Sequence, residues 1–152
     1  PWRMEYIHGK KERGCIFCNR ARRRSDQKDF ILYRGKKNFV ILNKYPYNNG
    51  HLMIVPNRHT AILEDLTREE ATEAFDLLGR ACRALKKGLR PQGLNIGMNL
   101  GKAAGAGIKD HLHLHVVPRW FADTNFWPVL ASTRTMPEHL KTTYQRLKKA
   151  WR

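Results

Sequence analysis

The chain has 152 residues, 41% of them hydrophobic, and 29 Lys and Arg against 13 Asp and Glu, a formal net charge of +16. That length suits one domain (1–152) that buries roughly two thirds of its unfolded surface; recurrent apolar runs exclude general disorder, and no run reaches the ~18 apolar residues of a membrane span. The charge attracts anions of several classes, but the basic clusters KKER, RARRR, RGKK, LKKGLR and RLKKAWR are scattered and no nucleic-acid motif accompanies them, so a solvated surface is expected and nucleic acid is not favoured as partner.

The N-terminal stretch PWRMEYIHGKKERG lacks the apolar centre of a secretion signal, and a cytoplasmic location is expected. Three cysteines, an odd number, argue against a disulfide framework. Cys15 and Cys18 form a CxxC, half of a tetrahedral metal site that needs two further ligands, with His51, His59 and His111 as candidates; a redox pair or coincidence are the other readings. DFILYRG (29–35) and NFVILN (38–43) read as strands around the turn RGKK, YPYNNG as a loop, and HLMIVP (51–56) as a third strand. Thr67 with Glu70 three residues on is a capping box, and Ala71, Phe75, Leu78, Cys82 and Leu85 repeat at helical spacing until Gly88 and Pro91. GLNIGMNL (93–100) reads as a fourth strand, GKAAGAGIKD as a glycine-rich loop and HLHLHVVP (111–118) as a fifth strand. Leu140, Tyr144, Leu147 and Trp151 suggest a C-terminal helix or arm within 121–152. Short connections between successive strands predict an α+β domain, a five-stranded, mainly antiparallel sheet with two helices segregated to one face.

In the fifth strand, alternation sends His111, His113 and His115 to one face and Leu112, Leu114 and Val116 to the other. Three imidazoles in line suit a metal such as zinc or copper. They equally suit phosphate chemistry, because Gly101, Gly105 and Gly107 just ahead let backbone N–H groups approach an anion, and a histidine is a competent nucleophile at phosphorus.

The run HLHLHVV resembles the signature of the histidine triad superfamily of nucleotide hydrolases and transferases. LNKYPYNNGHLMIVPNRH resembles that family's Asn, Gly-His and P-x-x-H block, GMNLGKAAGAG its phosphate loop, and CIFC its zinc-bearing bacterial members, so the likeness covers about 15–120. PWRMEYI and RWFADTNFWPV resemble the flanks of the diadenosine tetraphosphate branch. The resemblance implies a fold that dimerises edge to edge into a larger sheet. It implies His113 as a nucleophile forming a nucleotidyl-histidine, and His115 contacting phosphate and the bridging oxygen. It places His51 behind the site, Asn43 on the ribose, and Asn99, Gly105, Ala106 and Gly107 around phosphate. A structural zinc would sit on Cys15, Cys18, His59 and His111. The substrate implied is a nucleotide or dinucleoside polyphosphate.

The loop departs from both branches. The fragile-histidine-triad hydrolases carry a glutamine after the Ala-Gly of the loop, and the phosphorylases a serine that holds inorganic phosphate; this chain has Ala106 and Gly107. Water as acceptor, hence a hydrolase, is the expectation, with phosphorolysis, a non-catalytic nucleotide- or RNA-binding module and a purely structural metal protein as alternatives.

Overall fold

The computed structural model describes residues 12–123 and 138–151. The stretches PWRMEYI and the greater part of RWFADTNFWPV lie outside them. Two short helices come first, α1 (Ile16–Arg22) and α2 (Asp26–Asp29). Then follow β1 (Ile31–Arg34), β2 (Asn38–Leu42), β3 (Leu52–Pro56), α3 (Arg68–Leu89), β4 (Gly93–Gly97), β5 (Leu114–Arg119) and α4 (Leu140–Ala150). The five strands form one sheet in the order β1-β2-β3-β5-β4, and every pairing is antiparallel.

The strands β2 and β3 read NFVIL and LMIVP and are buried throughout, because both faces of the sheet are covered. On one face Leu32, Val40, Leu42, Leu52, Ile54, Leu114 and Val116 meet Leu77, Ala81, Ala84 and Leu85 of α3 and Tyr144, Leu147 and Ala150 of α4. Burying each of the larger aliphatic side chains contributes about 1.5–3 kcal/mol. The helix α4 is also tied to β1: Tyr144 Oη donates to the Ile31 carbonyl (3.0 Å) and Lys148 Nζ to that of Leu32 (2.6 Å). On the other face a smaller cluster of Phe17, Ile31, Phe39, Ile41, Met53 and Val55 shares the surface with the histidines.

The capping box forms as expected: Thr67 Oγ1 accepts from Glu70 N (3.2 Å), and the Glu70 carboxylate from Thr67 N (2.9 Å). The buried stripe of α3, however, is Leu77, Ala81, Ala84 and Leu85, so the expected face was rotated: Phe75 is 72% exposed and Cys82 only half-buried. The helix also runs through Gly88, which packs against Ala150 and Leu147, and ends at Arg90 in the left-handed region (φ 51). The ladder of β5 begins at Leu114, three residues later than the sequence pattern suggests, because Leu112 N donates to the Thr60 carbonyl (2.7 Å) outside the sheet. One glycine is required by space: Gly50 has φ +75, and a Cβ there would run into Leu89. It sits directly before His51.

Candidate active site and metal centre

Two groups of imidazoles lie on the sheet face opposite α3 and α4. The first collects Cys15 and Cys18 from α1, His59 beyond β3, and His111. Their ligand atoms all fall within 4.8 Å of one another. Cys15 Sγ is 3.2 Å and Cys18 Sγ 3.7 Å from His111 Nδ1, while His59 Nδ1 lies 3.3 Å from Cys18 Sγ and 3.2 Å from His111 Nδ1. The far nitrogen of His111 decides what the near one offers. Nε2 lies 2.9 Å from the Pro56 carbonyl, which can only accept, so Nε2 carries the proton and Nδ1 presents its lone pair to the cluster. Burial further pushes His111 toward its neutral form. The two thiols are free. A lone pair, two thiols and a second imidazole nitrogen converging on one point call for a cation, and a tetrahedral zinc, with its usual bond lengths, sets N–N edges of about 3.3 Å and N–S edges of about 3.6 Å. The residues present fit that ion.

The second group is His51, His113 and His115, joined by Asn43 and Tyr47. His51 is fully buried, and its Nδ1 receives Tyr47 N–H (3.1 Å) and the Asn43 amide (3.2 Å). The proton of the neutral ring therefore sits on Nε2, which donates to His115 Nδ1 (2.8 Å). That in turn leaves the His115 proton on Nε2, a buried atom with no hydrogen-bond partner among the described residues. An orphaned buried donor is costly, and at a functional site it marks where an acceptor belongs. Burial, then the charges of His115 and His113, pushes His51 down to about 3. Burial and the His113 charge push His115 down to about 4. The chain of tautomers is thus held in its neutral form. The Tyr47 ring stacks on both, at 4.7 and 5.4 Å.

His113 has the reverse arrangement. Its Nδ1–H donates to the His111 carbonyl (2.8 Å), so Nε2 presents a lone pair, and burial lowers its proton affinity although that hydrogen bond opposes the shift. Phe17, buried between the two cysteines in sequence, packs against both His111 (5.4 Å) and His113 (5.2 Å). The two groups therefore touch: the carbonyl that orients His113 belongs to the residue that faces the thiols.

Of the positions singled out in sequence, the structure brings Cys15, Cys18, His59 and His111 together in one cluster and His51, His113, His115 and Asn43 in another. Asn43 is more engaged than the ribose role alone implies, because its Oδ1 also accepts from Tyr45 N (2.9 Å). Gly97 is paired with His115, the last pair of the ladder, and Asn99 follows two residues beyond it. Gly105 has φ +84 and is exposed, but its N–H is used within the loop on the Lys102 carbonyl (3.0 Å). Gly107 is exposed and Ala106 half-buried. Sequence reasoning overlooked Phe17 and Tyr47; only their places inside CIFC and beside the Gly-His pair could have pointed to them.

A buried imidazole presenting a lone pair beside an imidazole donor, on an antiparallel sheet of this order, is the arrangement of a histidine triad domain. The HIT domain model matches residues 24–122, and the chain belongs to that family. It is 43% identical over 127 residues to a protein of Mycobacterium tuberculosis named AP-4-A phosphorylase, a match covering 84% of this chain and 65% of that protein's length. An uncharacterized HIT-like protein of Saccharolobus solfataricus is 31% identical over 72% of this chain and 76% of its own. Among solved structures, a zinc-bound histidine triad family protein from Mycobacterium smegmatis superposes with a TM-score of 0.73 at 30% identity, covering 91% of this chain and 93% of that one.

Proposed function

We propose that the protein cleaves dinucleoside polyphosphates, or related nucleotide conjugates, by transferring a nucleoside monophosphate to His113. The observation that carries this reading is the opposed pair of imidazole atoms: a lone pair on His113 Nε2 and an unpartnered N–H on His115 Nε2. His113 Nε2 attacks the α-phosphorus and the P–O bond to the rest of the polyphosphate breaks. His115 Nε2–H hydrogen-bonds the phosphoryl and bridging oxygens and passes its proton to the leaving oxygen. Water then attacks the phosphohistidine, returns that proton to His115 and releases the nucleoside monophosphate. Asn99 and the loop 105–107 line the phosphate, and Asn43 meets the ribose while fixing the His51 tautomer.

Water is the acceptor in this reading because Gly107 offers no hydroxyl to inorganic phosphate. Phosphorolysis is the second reading, favoured by the 43% identity to AP-4-A phosphorylase. Incubation with diadenosine tetraphosphate, with and without inorganic phosphate, separates them: hydrolysis yields AMP and ATP in both, phosphorolysis yields ADP and ATP only with phosphate. No turnover under either condition would remove the reading.

Zinc on Cys15, Cys18, His59 and His111 belongs to the same proposal as a closed structural site, its charge balanced by the two thiolates, supplying a cross-link with no open position for substrate. Homodimer formation is also proposed. The edge strand β4 leaves Gly93, Asn95, Ile96 and Gly97 exposed, whereas two carbonyls of β1 are already occupied by α4. Light scattering should give about twice the 17.8 kDa chain mass. A location in the cytoplasm remains an expectation; among the described residues no helix is long and apolar enough to cross a membrane.

A further inference from the structure

The helix α3 is divided along its length. Its first half carries Glu69, Glu70, Glu73 and Asp76, while from Leu77 to Lys109 the chain holds no acidic residue at all. Arg80, Arg83, Lys86 and Lys87 fill the second half, and Arg90 ends it. The helix α4, packed beside it, carries Lys141, Arg146, Lys148 and Lys149 and again no acid. The fold thus joins basic clusters that are far apart in sequence into one face. Two adjoining grooves cut that face. One, of about 600 Å³, is lined by Lys87, Arg90, Arg146 and Lys149; the other, of about 500 Å³, by Arg80, Arg83, Lys86 and Lys87. Among the described residues no carboxylate lines either groove.

The cations there differ in how far they are engaged. Arg80 lies over the Tyr33 ring (4.0 Å) and beside that of Trp151 (5.2 Å), Arg146 pairs with Glu138 (3.0 Å), and Lys148 holds the Leu32 carbonyl. Arg83, Lys86, Lys87, Arg90 and Lys149 have no carboxylate partner among the described residues. Like charges gathered without counter-charges repel one another, and a surface of this kind gains when a polyanion displaces its small ions.

We propose that the α3–α4 face docks the phosphate backbone of single-stranded nucleic acid. The apolar side chains of α4 — Tyr144, Leu147 and Ala150 — are buried beneath the face, so α4 presents no apolar wedge to a bilayer, as a membrane-seated helix requires. Cationic grooves are what an extended phosphate chain follows, and Tyr33 and Trp151, stacked on each other (5.8 Å) under Arg80, are engaged there, so the contact is with phosphate. The docking face lies on the side of the sheet away from His113, so a bound strand leaves the nucleotide site open.

The test is a salt titration of binding to a fluorescein-labelled 20-nucleotide oligouridine, comparing wild type with the triple variant Arg83→Gln, Lys87→Gln, Lys149→Gln. Removing three phosphate contacts lowers the slope of log affinity against log salt by about 2 and the affinity in 0.1 M salt roughly 100-fold. The control pair Lys36→Gln, Lys37→Gln, in the β1–β2 turn, should bind nearly as wild type. An unchanged triple variant, or a control pair that loses as much per charge, overturns the proposal. So does wild-type binding to phosphatidylserine vesicles without binding to the oligonucleotide. Should the triple variant not fold, each single replacement is expected to lower the slope by about 0.7, and three unchanged slopes are equally fatal.

Discussion

The two imidazole groups share one sheet face and one residue type, yet they are wired in opposite senses. Around Cys15, Cys18, His59 and His111 the ligand atoms converge, with His59 Nδ1 and His111 Nδ1 only 3.2 Å apart. From Tyr47 N–H through His51 to His115, donors and acceptors alternate and finish on one unpartnered N–H. What separates them is the partner of the ring nitrogen that faces away. A backbone carbonyl behind His111 or His113 makes the front nitrogen a lone pair; a backbone N–H behind His51 makes its front nitrogen a donor, and His115 inherits that polarity. Converging lone pairs build a cation site, and alternating ones build a device for handling protons at an anion.

The largest effect expected from breaking this contrast is at His113. His113→Ala removes the lone pair and should cost at least about three orders of magnitude in turnover of diadenosine tetraphosphate, while substrate still binds. A chirally labelled α-phosphorus should leave with retained configuration, from two displacements; inversion would exclude the covalent route. His51→Ala should cost less, on the order of 100-fold, because it removes the lock on the His115 tautomer and not the nucleophile. Steady-state kinetics that find no loss would show that His115 needs no such lock.

On the other side of the contrast, Cys15→Ser should act on stability before chemistry. Zinc content falls from about one equivalent toward zero and the thermal midpoint falls with it. Protein purified without added metal and holding less than a tenth of an equivalent would contradict the assignment.

A smaller effect is expected from acid. His51 and His115, held near 3 and 4 in the fold against about 6.5 unfolded, are neutral when folded while the unfolded chain takes up protons. Their contribution to stability is therefore complete above about pH 6.5 and is lost as pH falls from there toward 4 and 3. Denaturant midpoints measured from pH 7.5 to 4.5 should decline, and the decline should be shallower in His51→Ala. The smallest effect is at Gly107, where an added Cβ meets nothing within 4 Å. Gly107→Ser should raise the share of ADP formed in the presence of phosphate about two- to tenfold, the worth of one hydrogen bond.

Much of this architecture was legible in the sequence, for identifiable reasons. The runs NFVIL and LMIVP and the Thr67–Glu70 pair are local signals, and the sheet and α3 form where they indicate. The four thiol and imidazole ligands follow from the family resemblance, since CxxC alone leaves His51 as open a candidate as His59. What the sequence hides is set by long-range contact. The helix α1 is seven residues long, too short for periodicity, and it is positioned by Phe17 against His111 and His113. Phe75 fits the helical repeat equally well whether it faces the core or solvent; Leu77 and Ala81, one position round, meet the sheet instead. Nor does a histidine's letter carry its tautomer, which depends on the carbonyl of Pro56 and the amide of Tyr47.

The order of the cluster's ligands along the chain has a topological consequence. Cys15 and His111 are 96 positions apart, so an ion held by both closes most of the domain into a single loop, with Cys18 and His59 as further stitches. The unfolded chain holds no such site, so the ion's binding free energy stabilises the fold directly, and the loop closure has already been met by folding when the ion binds. Two of the stitches are pre-set: His111 is anchored to Pro56, and Arg58, next to His59, is clamped on Glu70 at 2.8 Å. An ion held there would therefore fasten an N-terminal helix onto a part of the sheet that is already in place.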